Sequence, residues 1–300
     1  MTAPLTQRIA GAPISWGVCE VPGWGHQLGT DLVLRQMREA GLAATEFGPE
    51  GFLPDDPAAK AATLASHGLR AVGQFVPVVL HEPDHDPLPE IEAALTGLLA
   101  ADARTVVVAA ATGAHGYDAR PALDAEGWSV LLANLDRISA AATAAGVLAT
   151  LHPHVGTMIE SGQETQRVLD GSGIGLCLDT GHLLIGGGDP LALAARQPGR
   201  IAHVHLKDVR LDLADRVKAG RTTYTEAVAD GMYVPLGAGD VDIAGIVRLL
   251  EADGYAGWYV LEQDTILHAA PGEDGGARPL DDVLASVAHL HSLAAGTTAG

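Results

Sequence analysis

Four short stretches of the 300-residue chain bring imidazoles and carboxylates together: "LHPH" (151–154), "CLDTGH" (177–182), "HVHLKD" (203–208) and "VLEQD" (260–264). Imidazole nitrogens mixed with carboxylate oxygens suit a divalent ion of the Mn, Co, Fe or Zn kind better than Ca or Mg. Taken singly, each has a plainer reading. A strand-end Asp commonly caps the next helix, and a lone His is usually a satisfied core group. His203 shares a period-two face with His205, so either serves equally well as barrel filling. Four separate segments agreeing at matching positions favour a common site. Its candidate ligands are His152 or His154, then Asp179, His205 and Glu262.

The elements that must position these groups alternate along the chain. Strand-like runs cover 9–16, 43–48, 70–79, 105–110, 147–154, 174–179, 201–208 and 257–264. Helix-like stretches cover 30–42, 56–68, 89–102, 127–146, 162–170, 189–197, 242–254 and 280–293. The strand segments are too apolar to be half-exposed, which implies a parallel sheet covered by helices. Eight strand-then-helix units in about 250 residues predict an α/β fold, one (β/α)8 TIM barrel, with its functional groups at the C-terminal strand ends. A doubly wound open sheet is the alternative, but "SWGVCEVPGWG" after the first strand lacks the G-x-G-x-x-G spacing of a phosphate loop. A single domain over 1–300 is expected, with the barrel core at about 8–295. The 31 residues between Asp208 and Asp240 form a long loop after strand seven, which is expected to carry the short helix "YTEAVADG" and to fold over the site.

Composition narrows the class of function. With 18 Lys+Arg against 37 Asp+Glu the net charge is −19, which disfavours nucleic acid and anionic membrane surfaces as partners. Cys19 and Cys177 offer neither a disulfide framework nor a paired-thiolate zinc site. The start "MTAPLTQR" has no apolar signal core and no run reaches membrane-spanning length, so a soluble cytoplasmic protein is expected.

In order and wording, "LHPHVGT", "CLDTGH", "HVHLKD" and "VLEQD" resemble the xylose-isomerase-like TIM-barrel superfamily of sugar isomerases, epimerases and inosose dehydratases. "GAPISWGVCEVPGWG" and "TEFGPEGFLP" resemble its inosose dehydratase and inosose isomerase branch of inositol catabolism. The resemblance runs from about residue 8 to about residue 265. It implies a metal held by Glu, Asp, His and Glu from strands five to eight. Asp179, His205 and Glu262 match the last three positions, while His152 stands where the superfamily has its first Glu. His152 either ligates through a ring nitrogen or leaves three protein ligands.

The resemblance also implies a small polyhydroxy carbonyl substrate, a homodimer or homotetramer, and Mn²⁺ or Co²⁺ as the ion, with Zn²⁺, Fe²⁺ or Mg²⁺ as alternatives. Losing one carboxylate to His152 removes the symmetric two-base arrangement of an epimerase. A β-elimination needs only one base and one acid. The expected activity is therefore a lyase dehydrating a keto-polyol such as 2-keto-myo-inositol, with Glu262 as base and His154, His182 or Lys207 as acid. An isomerase or epimerase using the same site is the alternative. A phosphodiesterase on the same barrel would need a basic groove, and a sugar-binding subunit without turnover would not need the ligands. Trp16 and Trp24 are candidates for an apolar wall against the ring, and Glu46 and Gln74 for hydrogen bonds to hydroxyls.

Overall fold

A computed structural model describes residues 2–114, 116–269 and 278–297. The barrel strands are Ile9–Gly11, Ala44–Thr45, a third strand in two pieces (Arg70–Ala71 and Gly73–Val79), Thr105–Ala111, Leu148–Leu151, Gly175–Asp179, Ile201–Leu206 and Tyr259–Leu261. Every pairing among them is parallel. The sheet begins at Arg70–Ala71, passes through the second, first, eighth, seventh, sixth, fifth and fourth strands, and ends at Gly73–Val79. Its two ends are consecutive pieces of one strand, so the ring closes on itself. The expected α/β barrel is what the chain forms.

Helices cover the outside through apolar stripes at helical spacing. Thr30–Glu39, for example, buries Val33, Leu34 and Met37 and exposes Arg35. The large core cluster lies between strands and helices, while Ala10, Ala12, Ala44, Val72 and Val260 form a separate small cluster. These five share the strand parity of the candidate ligands, which places them inside the ring.

Several expected strands are shorter in the structure. The first ends at Gly11 rather than residue 16, because Pro13–Trp16 turns into a 3₁₀ helix. Pro13 presets φ and has no N–H to donate, and Gly17 ends the turn at φ 75. The second strand keeps only Ala44–Thr45 and the eighth only Tyr259–Leu261. The sixth unit has two helices, Thr180–Ile185 and Pro190–Arg196, where one was expected.

The long loop after the seventh strand is organised as expected, with one helix more. It holds Leu211–Lys218 and Tyr224–Ala229, and it begins and ends on an antiparallel pair, Asp208–Val209 with Tyr233–Val234. Asp208 ties it together by accepting backbone N–H bonds from Gly237, Gly239 and Val241 at 2.8–3.0 Å. A side chain at Gly239 would press within 2.3 Å of the Asp208 carboxylate. No helix among the described residues is long and apolar enough to cross a membrane.

Candidate metal centre and active site

Strand register assembles the cluster. Asp179 pairs with His205, His205 with Val260, and each pair points the same way across the sheet. Two residues past Val260 comes Glu262, on the same inner face; His152 follows Thr150 in the same manner. The ligand atoms of His152, Asp179, His205 and Glu262 all lie within 4.8 Å of one another. His152 Nε2 is 3.2 Å from Asp179 Oδ2, and His205 Nδ1 is 3.1 Å from Glu262 Oε2. His152, Asp179 and His205 are each only 1% exposed.

This donor set fits a divalent ion. Two imidazoles and two carboxylates, gathered from four strands, are costly to bury unless something pairs them. The Nε2–H of His205 donates to Glu46 Oε1 at 3.0 Å, while Nδ1 on the opposite side of the ring has no hydrogen-bond partner. A carboxylate behind one ring nitrogen is the usual means of aiming the other at a metal. Burial works against a charge on His205, but Cys177, Glu262 and Glu46 outweigh it and raise its pKa well above the ordinary imidazole value.

The "LDTGH" and "HLKD" motifs interlock in ways that explain their spacing. Asp179 is both helix cap and cluster member: Oδ1 accepts the backbone N–H of His182 at 2.7 Å, and Oδ2 faces the cluster. The Thr180 hydroxyl donates to Lys207 O at 2.7 Å and accepts from Lys207 N at 2.9 Å. At Gly181 a Cβ would lie 2.7 Å from the Lys207 Cβ, so only glycine lets the helix sit this close.

Beside the cluster lies a buried charged network. The Lys207 ammonium contacts Asp264 Oδ1, is 2.9 Å from Glu262 Oε2 and is 3.9 Å from Asp179 Oδ2. Burial alone would lower its pKa, but Asp264, Glu262 and Asp179 together raise it well above the usual lysine value. Glu262 is held well below the carboxylate range, since His205 and Lys207 overcome its desolvation. Asp264 Oδ2 accepts from the Tyr224 hydroxyl at 2.5 Å, and Tyr224 is 3.0 Å from the Tyr233 hydroxyl. Both tyrosines come from the long loop, so the loop covers the site by docking onto Asp264. Desolvation raises the pKa of Asp264.

The candidate acids separate here. His154 lines the pocket; its Nδ1–H donates to Val155 O at 2.7 Å, which leaves Nε2 without a proton. Burial, then His152 and Lys207, depress its pKa well below the ordinary value. His182 does not stand on an open loop where substrate meets it. It is 0% exposed inside the helix Thr180–Ile185, its ring stacked 3.7 Å from that of His154. Burial, then His154 and Lys207, keep it neutral as well.

The pocket opens between the cluster and an apolar wall that includes Ile14, Val18, Trp24 and Phe75, with Glu46, Lys207 and Asp264 among its polar groups. Trp24 is on this wall, its indole N–H donating to Thr265 O. Trp16 is not. The 3₁₀ turn carries it into the core, where its N–H donates to Gln36 on the first helix. Glu46 borders the pocket, but Oε1 is taken by both His203 and His205, at 2.8 and 3.0 Å. Its pKa falls to about 2, since His205 and His203 overcome desolvation. Gln74 lies off the pocket and borders a neighbouring crevice instead.

Sequence reading missed Asp264, two residues past Glu262 and on the same strand parity, which was its available signal. It also missed Phe75, whose ring lies 5.6 Å from His152, and Tyr117, 4.4 Å from His154. Tyr117 sits in a turn-rich segment, where nothing in the local pattern points at the site.

Comparison with known proteins agrees with this architecture. The family model described as the xylose isomerase-like TIM barrel matches residues 34–284. The rhizopine catabolism protein MocC of Rhizobium meliloti is 35% identical over 271 residues, 87% of this chain and 82% of that protein. An inosose dehydratase of Geobacillus kaustophilus is 32% identical over 272 residues, 86% of this chain and 87% of its own. Among solved structures, an IOLI protein with a zinc atom superposes with a TM-score of 0.69 at 13% identity, covering 96% of this chain and 98% of that one.

Proposed function

The chain belongs to the xylose isomerase-like TIM barrel family, and from that premise we propose that it is a metal-dependent lyase removing water from a cyclic keto-polyol, 2-keto-myo-inositol. The observation that carries the reading is the convergence of His152, Asp179, His205 and Glu262 beside a pocket that also receives Lys207 and His154. Similarity to inosose dehydratases over most of the chain supports the substrate class. It is accordingly read as a small-molecule enzyme of the cytoplasm.

His152, Asp179, His205 and Glu262 would hold the ion, Mn²⁺ or Co²⁺, which when bound supplies Lewis-acid polarisation of the substrate carbonyl. The remaining work falls to side chains. The Glu262 carboxylate takes the proton from the carbon next to the carbonyl. As the C–O bond at the next carbon breaks, the departing hydroxyl takes a proton from Lys207 Nζ and leaves as water. Lys207 is a weak acid, but the group it protonates is far more basic. Asp264 and Tyr224 hold the lysine in place while Nε2 of His154 accepts a hydrogen bond from a ring hydroxyl. Trp24 and Phe75 cover the C–H face of the ring and exclude water.

The test is mass spectrometry of products from 2-keto-myo-inositol, using metal-stripped protein with and without added Mn²⁺ or Co²⁺. Metal-dependent loss of one water supports the lyase. A product of unchanged mass would make the protein an isomerase or epimerase instead.

A further inference from the structure

A second space lies on the other side of Phe75. A crevice of about 820 Å³ runs between residues 47–57 and the helix Leu88–Ala100, within the usual range of about 300–1,000 Å³ for small-molecule sites. Glu20, Gly48, Pro49 and Phe75 border both spaces, so the two lie side by side.

The crevice follows from how the third strand is made. Gly73–Val79 pairs along its whole length with Thr105–Ala111. Toward the second strand, the backbone bonds among the described residues stop at the Phe47 N–H donating to Gly73 O. The second strand is only two residues long, and the chain then turns away at Gly48. Gly48 has φ 74, and a Cβ there would lie 2.6 Å from Pro13, so at this one residue the border between the two spaces carries no side chain. Ala93, Ala94 and Gly97 line the opposite side with small residues. An open strand edge is ordinarily covered or charged; here it borders a groove beside the pocket.

Charge selects what fits. The crevice carries Glu20, Glu50, Asp55 and Glu90 against Lys60 alone, and no arginine lines it or the pocket. A phosphate group would meet repulsion without a guanidinium to hold it. An uncharged group with hydroxyls meets carboxylates, an ammonium and the Gln74 amide, all able to hydrogen-bond.

We propose that this crevice is a subsite for an uncharged, hydroxylated substituent of glycosyl size, O-linked to the keto-polyol ring. The enzyme then processes substituted keto-polyols and rejects phosphorylated ones. The inference rests on the dehydratase reading above.

The test uses Ala93→Trp. Ala93 is exposed on its helix, so the indole fills the crevice without entering the core. Rates are compared for 2-keto-myo-inositol, its O-glycosyl derivative and its phosphate ester. In the wild type the glycosylated compound should react within about tenfold of the parent, and the ester at least about a hundredfold more slowly. Ala93→Trp should lower kcat/KM for the glycosylated compound by about tenfold or more and leave the parent within about twofold. Turnover of the parent alone by the wild type, or equal effects of the substitution on both, overturns the subsite. If none of the three reacts, the dehydratase reading fails, and calorimetric binding of a glycosylated inositol without a carbonyl still decides. Weaker binding to Ala93→Trp upholds the subsite; equal or absent binding removes it.

Discussion

The Nε2–H of His205 donates to Glu46 Oε1 across 3.0 Å, linking the second barrel strand's end to the middle of the His152, Asp179, His205 and Glu262 cluster. This contact holds the His205 ring so that the opposite nitrogen faces Asp179 and Glu262. Glu46→Gln should keep the fold yet weaken Mn²⁺ binding by about 10–100-fold. Fluorescence or calorimetric titration checks this, and unchanged affinity would show that Glu46 does not orient the ligand.

Metal uptake should depend on pH with a definite sign. His205 in the metal-free protein has its pKa raised well above the usual imidazole value, so it carries a proton at neutral pH that a cation must displace. Affinity should therefore increase as pH rises toward that raised pKa, with protons released on binding. Calorimetry in two buffers of different ionisation enthalpy measures the number released; none would contradict the assignment.

Glu262→Gln should abolish exchange of the substrate α-proton with solvent and lower kcat by about 10²–10⁴. Exchange is read by NMR in D₂O with saturating metal, because Glu262 is also a proposed ligand. Retained exchange would take the base role away from Glu262.

Asp264 positions Lys207 without joining the four-residue cluster. Asp264→Asn should lower kcat by about 10–100-fold while metal content and KM stay near wild type. Tyr224→Phe, which removes one donor to the same carboxylate, should give a smaller loss in the same direction. A fall in KM-weighted binding with kcat intact would assign Asp264 to substrate recognition instead.

Asp208 should matter for the loop rather than for the chemistry. Asp208→Ala strips acceptors from Gly237, Gly239 and Val241, at a cost of about 3 kcal/mol. Limited proteolysis should then cut within residues 210–240 far sooner than elsewhere. An unchanged cleavage pattern would mean that the tyrosines docked on Asp264 hold the loop on their own.

Much of the architecture was legible because its signals are local. Apolar runs of strand length alternate with helical stripes, and a period of two places Asp179, His205 and Glu262 on one face of their strands. What escaped was conformational or distant. Trp16 reads as a strand end until Pro13 and Gly17 bend it into the core, and His182 reads as a loop residue until Asp179 starts a helix at Thr180. Tyr117 reaches the site from a turn-rich segment whose pattern says nothing of it, and Phe75 comes from the third strand, one residue past Gln74 and on the opposite strand parity.

By itself, the order of residues determined the alternation of strand and helix, the barrel it implies and the residue types offered at the strand ends. Those depend on side-chain spacing of a few residues, which any local stretch displays. Closure of the ring alone decided which nitrogen of His205 is free, that Glu46 backs His205, that His182 is sealed behind His154, and that Asp264 grips Lys207. Such relations join atoms up to some 160 residues apart, and they exist only once eight strands share one set of hydrogen bonds.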